Sequence, residues 1–302
     1  ESDESDGSFL QLPITYSVIT NVDKEHLDFY KSFNKLKESF LTFIEKTPSF
    51  GKSIVCSDNI NLKTILTKCK NSNFLTYGFT KNSNYQILNA INKKDYSIFD
   101  LKINVAGAKI FKIKNLQVNL IGNHNIRNAT ASIAIALNLG VKISIIKNSL
   151  KKFTGIQRRF TKIFSLGKKD FYDDYAHHPT EIEAVLSGAR EAYSSRKIIS
   201  VFQPHRYSRL QTLKKEFASS FKLSDVVVLC PVYAAGEKID NKFDQYNFAK
   251  QISKKSNTLV INIKNKHELK LFFKKNLFSN ELVICMGAGS ISHWIREIGK
   301  KF

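Results

Sequence analysis

Cysteine is scarce in this chain of 302 residues. Cys56, Cys69, Cys230 and Cys285 are all it has, and no two stand close enough to read as half of a zinc site or as a disulfide framework. Long apolar runs are missing as well. None approaches the roughly 20 residues that span a bilayer, and no signal peptide is visible, so the sequence reads as a cytoplasmic protein without membrane insertion. Arginine is the third shortage. Lys and Arg together number 47, of which 8 are Arg, against 26 Asp and Glu, giving a formal charge of +21. Such a charge invites a nucleic-acid reading. The lysines, however, fall singly or in pairs through both halves, as at Lys112, Lys114, Lys151, Lys152, Lys254, Lys255, Lys274 and Lys275, and no recognised nucleic-acid motif accompanies them. No nucleic-acid partner is expected. Attraction of anionic substrates is the milder consequence.

Against this background the run Asp173-Asp174-Tyr175-Ala176-His177-His178-Pro179-Thr180-Glu181 stands out, because core packing does not ask for two carboxylates, a phenol and two imidazoles in six positions. Phe171-Tyr172 reads as the end of a strand. Pro179 and the segment from Glu181 to Leu186 read as the first turns of an amphipathic helix. The polar run therefore sits at the carboxyl end of a strand, where ligands bind in open α/β sheets. Adjacent histidines diverge on any regular backbone, so at least one faces a cleft or solvent. The competing structural reading is a helix-capping loop, with Asp and Thr as caps.

A second run repeats the pattern. The apolar strand Ile198-Ile199-Ser200-Val201-Phe202 empties into Gln203-Pro204-His205-Arg206-Tyr207-Ser208-Arg209, and a helix follows from Leu210 to Phe221. Arg206 and Arg209 are three apart, so a helical turn would set both guanidinium groups on one face, a pair suited to a carboxylate or phosphate. Lys is the default cation here, so the clustering of Arg158, Arg159, Arg206 and Arg209 in two polar turns marks positions that need the planar fork.

The chain divides near residue 154. Before it, Tyr16–Thr20, Ser53–Cys56 and Phe74–Phe79 read as strands, Phe33–Ile44 as a helix, Tyr85–Val118 as antiparallel sheet, and Asn125–Leu139 as a helix with one buried face. After it, strand and helix alternate: Lys197–Phe202, Asp225–Cys230, Leu259–Ile263 then His267–Phe273, Leu282–Met286 then Ile291–Ile298. Such alternation argues a parallel, Rossmann-like sheet and an α/β fold. Met286-Gly287-Ala288-Gly289-Ser290 lies at a strand-to-helix turn, but Ser292 stands where a dinucleotide fingerprint has its third glycine, so it reads as tight turn chemistry.

Together the two polar runs, Val232-Tyr233-Ala234-Ala235-Gly236-Glu237, Gly122-Asn123-His124-Asn125-Ile126-Arg127-Asn128-Ala129, Gly155-Ile156-Gln157-Arg158-Arg159-Phe160, Thr20-Asn21-Val22-Asp23-Lys24-Glu25-His26-Leu27-Asp28 and the acidic Glu1-Ser2-Asp3-Glu4-Ser5-Asp6-Gly7-Ser8-Phe9-Leu10 make seven motifs in family order. They resemble those of the Mur ligases, in the branch that adds L-alanine to UDP-N-acetylmuramate. The resemblance implies residues 1–154 as the remainder of a central ATPase domain and 155–302 as a Rossmann-like carboxyl-terminal ligase domain. It also implies a carboxyl-terminal fragment, because the family's UDP-binding domain and Gly-x-x-Gly-Lys-Thr phosphate loop are not found. Gly51-Lys52-Ser53 is the one candidate replacement. It runs into a strand, whereas a phosphate loop needs a helix behind it, and it reads as a surface turn.

The chemistry so implied is ATP-driven amide formation in peptidoglycan synthesis, with ATP and Mg2+ as cofactors and UDP-N-acetylmuramate and L-alanine as substrates. The carboxylate becomes an acyl phosphate, and the amine of alanine displaces phosphate. By resemblance, Glu1 and His26 match metal ligands, with Glu4 close enough to take part. A helix-capping role competes for His26. His124, Asn125 and Asn128 match residues around adenine and ribose, with capping of the helix there as the competing reading. Arg159 matches a contact to the ATP phosphates and Asp174 one to the ribose, while Arg158 is expected at the domain joint. Tyr175, His177, His178, Arg206 and Arg209 match the side facing alanine and muramate; His205 has no role separable from packing. Some related ligases carry a lysine carbamate, for which Lys37 is the nearest candidate and is not assigned. Two other functions remain open: a ligase attaching a recycled tripeptide to the same nucleotide sugar, against which Phe202-Gln203-Pro204-His205-Arg206-Tyr207 speaks, and a basic nucleic-acid-binding module.

Overall fold

The computed structural model describes residues 2–70, 73–238, 240 and 243–301. The chain forms two compact units, Glu1–Phe153 and Thr154–Phe302, each with its own six-stranded sheet.

In the first unit the strands run in sequence order: β1 (Tyr16–Ile19), β2 (Lys52–Cys56), β3 (Phe74–Gly78), β4 (Tyr85–Asn92), β5 (Ser97–Ile103) and β6 (Phe111–Val118). Pairing is parallel from β1 to β4 and antiparallel from β4 to β6. The side chains explain the change. In β2 every residue after the first is buried, as a parallel strand covered on both faces requires, whereas β5 alternates buried and half-buried residues, with Phe99, Leu101 and Ile103 turned to the core. The helices are α1 (Leu27–Tyr30), α2 (Phe33–Glu45), α3 (Ile60–Leu66), α4 (Asn123–Asn138) and α5 (Ile143–Lys152). Ser32 caps α2 by accepting from Lys35 N at 3.2 Å. Phe9 packs against Phe40 and Phe43 of α2, with ring centroids 5.3 and 5.0 Å away.

Gly51-Lys52-Ser53 needs one correction. It leads into β2 with no helix behind it, so it is no phosphate loop, but neither is it a surface turn. Gly51 is buried, and a Cβ there would lie 1.9 Å from the carbonyl oxygen of Thr15. The glycine is needed for close approach of two backbones.

In the second unit the strands are β7 (Thr161–Leu166), β8 (Lys169–Asp174), β9 (Ile198–Phe202), β10 (Val226–Leu229), β11 (Leu259–Asn262) and β12 (Leu282–Met286), ordered β11-β10-β9-β12-β8-β7. All pairs are parallel except the hairpin of β7 and β8. The α/β character expected from alternation is what the chain adopts. The helices are α6 (Pro179–Ala192), α7 (Tyr207–Thr212), α8 (Lys214–Ser219), α9 (Gln245–Ser256), α10 (Lys266–Asn276) and α11 (Ile291–Gly299). The single helix expected from Leu210 to Phe221 is two, because Leu213 leaves helical backbone at φ −114° and ψ 25°. Neither α9 nor β7 is evident in the sequence.

This topology sets a row of strand ends side by side. Beyond β8, β12 and β9, Gly287 N donates to Asp174 O at 3.2 Å and Gln203 N to Met286 O at 3.0 Å; next to them Cys230 N donates to Phe202 O at 2.8 Å. Four carboxyl ends are thus zipped into one edge. Among the described residues no helix is long and apolar enough to cross a membrane.

Candidate active site

At the carboxyl edge of the second sheet, three strand ends contribute aromatic and imidazole rings. Tyr175 and His177 follow β8, His205 follows β9, and Tyr233 follows β10. Their rings form a row, with Tyr175 to His177 at 5.1 Å, His177 to His205 at 5.6 Å and His205 stacked on Tyr233 at 5.7 Å. A parallel bridge between His205 and Tyr233 holds the last pair, with Tyr233 N donating to Pro204 O at 2.8 Å and Arg206 N to Tyr233 O at 2.9 Å. Tyr175 and Tyr233 are 37% and 41% exposed, so the row opens to solvent at both ends. His205, given no role by sequence, lies in the middle of it. Burial first, then the charge of Arg209, that of His177 once it is protonated, and that of Arg206 bring its pKa down to about 4 against a weaker pull from Glu237, so it is neutral at physiological pH.

Behind the row, glycines allow close packing. A Cβ on Gly289 would stand 2.5 Å from Tyr233 Cγ and 2.6 Å from Gln203 Oε1, and one on Gly287 would stand 2.7 Å from the Gln203 carbonyl. Gln203 Oε1 accepts from Ile291 N at 2.9 Å. Tight turn chemistry is therefore the correct description of Met286–Ser290.

The expected arginines divide. Arg206 precedes α7 at φ 67°, ψ 135°, outside helical space, so the argument from helical spacing that set it on one face with Arg209 does not hold. Arg209 Nη1 instead lies 3.1 Å from His205 Nδ1 and donates to His205 O at 3.3 Å. Glu237 closes the run that begins at Val232. It accepts from Tyr207 N at 2.7 Å and from the Ser208 hydroxyl, holding the start of α7. Arg158 donates to Gly287 O at 2.6 Å and lies over the Tyr175 ring, both contacts made inside the second unit. Arg159 lies 5.7 Å from the same ring and 3.9 Å from Glu181 Oε1.

Glu181 is a hub that sequence reading passed over. Its Oε2 accepts from His177 N at 2.9 Å and His178 N at 3.2 Å, fixing the turn that carries both imidazoles. His178 itself is the N-cap of α6, its Nδ1 accepting from Thr180 N at 3.4 Å. It is 8% exposed and its Nε2 has no partner, so the structure gives it the capping role rather than a place in the ring row. Asp174, expected at a ribose, is 3% exposed, with Oδ1 accepting from Ala176 N and Oδ2 from Phe160 N. Burial outweighs those two bonds and raises its pKa to about 6. Its visible work is to tie the turn after β8 to the strained turn before β7, where Arg158 and Phe160 have φ 61° and 48°.

In the first unit, Glu4, Glu25 and His26 bring one ligand atom each within 4.8 Å of one another. His26 holds the N-cap position of α1 at φ 55°, yet its side chain makes no capping bond; Nε2 faces Glu4 Oε1 at 3.5 Å. The capping alternative is thereby set aside. Glu25 was not foreseen, and Glu1 lies outside the described residues. Carboxylate oxygens suit a hard cation and imidazole a borderline one, so the set fits a divalent ion with coordination positions left over. Lys37 sits over the Phe33 ring at 4.5 Å. His124 and Asn125 lie in the first turn of α4. The Asn125 side chain is buried and donates to Ile121 O at 2.8 Å, while Asn128 is exposed. Close by in sequence, Arg127 pairs with Asp58 at 2.6 Å and covers the Phe79 ring at 5.2 Å. Asp58 also accepts from Phe79 N and Thr80 N, and against the effect of burial the Arg127 bond first, then these two, hold its carboxyl below the usual range.

Two family models match. Residues 2–136 match the Mur ligase middle domain and residues 158–289 the Mur ligase glutamate ligase domain. The UDP-N-acetylmuramate–L-alanine ligase of Pelagibacter ubique is 52% identical over 298 residues, which cover 99% of this chain and 64% of that protein. A UDP-N-acetylmuramate–alanine ligase from Thermotoga maritima superposes with a TM-score of 0.76 at 25% identity, over 99% of this chain and 62% of the other. A murein peptide ligase from Psychrobacter arcticus superposes at 0.64 with 20% identity, over 97% and 58%, a likeness that bears on the fold alone. The chain thus spans about two thirds or less of the length of the proteins it matches.

Proposed function

The chain belongs to the Mur ligase family, and on that premise we propose that it carries the central and carboxyl-terminal parts of an ATP-dependent ligase joining L-alanine to UDP-N-acetylmuramate. The observation that carries this reading is the ring row with Arg209 held against His205, assembled from three strand ends at the carboxyl edge of a parallel sheet. A carboxylate resists attack by an amine. Transfer of the γ-phosphoryl group of ATP turns it into an acyl phosphate, whose carbonyl carbon the amine then attacks as phosphate leaves. Both steps gather negative charge in a small volume.

The residues divide this work by chemistry. Arg206 and Arg209 supply planar cations against carboxylate and phosphate oxygens. Arg159, tied loosely to Glu181, is the fork for the nucleotide phosphates. Tyr175 and His177 stand at the exposed end of the row, where an amino acid meets them from solvent. In the first unit His124 and the exposed Asn128 lie at the start of a helix, where a side-chain amide reads a base or ribose by paired donor and acceptor, while Asn125, its amide bound to Ile121 O, shapes that turn from within. Glu4, Glu25 and His26 would hold Mg2+, which when bound neutralises charge on the transferring phosphoryl group. Asp174 serves this reading by fixing the turn rather than by touching ribose.

The test is a chimera in which this chain replaces the matching 298 residues of the Pelagibacter ligase. Supplied with ATP, Mg2+, UDP-N-acetylmuramate and L-alanine, it should release phosphate and yield the alanyl nucleotide, detected by mass. Preference for a tripeptide over alanine would favour the recycling ligase. A folded chimera that binds nucleotide but joins neither would contradict the reading.

A further inference from the structure

His177 and His205 lie side by side, yet their hydrogen bonds are of opposite sense. His177 Nδ1 is 2.9 Å from Tyr175 O and 3.4 Å from Glu181 Oε2. A carbonyl and a carboxylate oxygen accept only, so Nδ1 carries the proton and Nε2 of the neutral ring carries the lone pair. His205 Nδ1 is 3.1 Å from Arg209 Nη1. A guanidinium donates only, so Nδ1 is the acceptor and the proton sits on Nε2.

We propose that the two imidazoles are locked in opposite tautomers, His177 presenting Nε2 as a proton acceptor and His205 presenting Nε2–H as a donor, for the amino group and an oxygen of the incoming amino acid. The assignment of roles rests on the ligase reading; the tautomers do not. The locks are built into the fold. Glu181 fixes His177 through both backbone and ring, and Arg209, in the first turn of α7, fixes His205 through ring and carbonyl while Tyr233 stacks on it. The charged and titratable groups facing the pair are Glu181 and Tyr175 from the β8 end, Arg206 and Arg209 from the β9 end, and Glu237 and Tyr233 from the β10 end. Arginines on the His205 side disfavour a second proton there, whereas on the His177 side the Glu181 carboxylate stands 3.4 Å from Nδ1. The ring able to take a proton is thus the one offering a lone pair.

The step balances. Nε2 of His177 takes one proton from the ammonium group, which frees the nitrogen lone pair. That pair forms the C–N bond at the acyl carbon while the C–O bond to phosphate breaks, and phosphate leaves with the bonding pair and with the second proton of the nitrogen. His205 Nε2–H donates to an oxygen throughout and exchanges no proton. His177 returns its proton to water.

The experiment is long-range 1H–15N correlation on the 302-residue chain labelled with 15N-histidine, with His177→Gln and His205→Gln used for assignment. The expected pattern is a protonated Nδ1 and bare Nε2 for His177 and the reverse for His205. The same tautomer in both rings, or a fast average in either, overturns the proposal. Arg209→Met should release His205 into an averaged pattern and leave His177 unchanged. A His205 pattern indifferent to that substitution also overturns it, and should the variant unfold, the unsubstituted chain decides alone. Failure of the chimera to ligate, with the tautomers as stated, would count against the ligase reading and not against this pair.

Discussion

The two edges of the second sheet use the same residue types to opposite ends, and β8 shows it within six residues. At its amino end Asp170 is closed in: Lys162 Nζ lies 2.6 Å away, Arg196 pairs with its other oxygen, and Ser165 donates at 2.8 Å. Those partners overcome burial and hold its pKa at about 2. Arg196 further donates to the carbonyls of Asn280, Lys168 and Glu281, and Arg190 ties Asp225 to the carbonyls of Arg196 and Leu223. At its carboxyl end Asp174 accepts from the backbone N–H groups of Phe160 and Ala176, and burial outweighs both bonds and raises its pKa to about 6. Around it stand an arginine at positive φ, a neutral histidine and a buried His178 nitrogen without a partner. One edge spends its charges on closure; the other keeps groups strained, shifted or open, as sites do.

The largest effect that would break this contrast is on the closed edge. Arg196→Met strips one of two cationic partners from a buried carboxylate, together with three bonds to backbone carbonyls, and should destabilise the chain by about 3 kcal/mol, measured by urea unfolding, while the tautomers of His177 and His205 stay as they are. A loss below about 1 kcal/mol would show that the amino edge is not the lock described. His177→Gln in the chimera should cost on the order of 100-fold in turnover with an unfolding midpoint close to the parent's. A midpoint that falls in step with turnover would assign the residue to folding.

Acid sharpens the comparison because Asp170 and Asp174, at the two ends of β8, respond with opposite sign. Asp170 titrates lower folded than unfolded, so its stabilisation is present above about pH 4 and is lost as pH falls toward about 2, a term on the order of 2 kcal/mol. Asp174 titrates higher folded, at about 6, so its ionisation weakens the fold as pH rises from about 4 through 6, and lowering pH across that window strengthens it. His205 titrates lower folded, at about 4, so its contribution is full above about 6.5 and falls as pH drops toward 4. His205→Gln should therefore gain stability relative to the parent between pH 6.5 and 4 and show no such change above pH 7. Parallel stability curves for the two proteins across that range would contradict the assigned shift.

The strand-and-helix alternation made the second sheet legible, because each of its central strands is a short apolar run. β7 was not legible: it is half exposed, with burial that follows no clean period. Nor was α9, whose buried face consists of Phe248, Ala249, Ile252 and Ser256 amid polar residues. Of the site, His177, Arg209 and Tyr175 were visible as a dense polar run, and the structure brings them together with His205 and Tyr233, whose parts depend on pairing between strands distant in sequence. Arginine scarcity was a weaker guide than it looked. Arg127, Arg190, Arg196 and Arg296 also sit where a fork is needed, each against an aspartate and in the service of the fold. Backbone strain at Arg206 has no signature in the sequence, since nothing near it is glycine or asparagine.

That strain gives the smallest effect and the most direct test. Arg206→Gly removes a guanidinium and relieves a φ of 67°, a relief of about 1 kcal/mol. Turnover and the urea midpoint, measured on one preparation of the chimera, should move in opposite directions: ligation falls while the midpoint holds or rises. Undiminished turnover, or a midpoint that drops with it, would contradict the claim that this edge is strained in the service of chemistry.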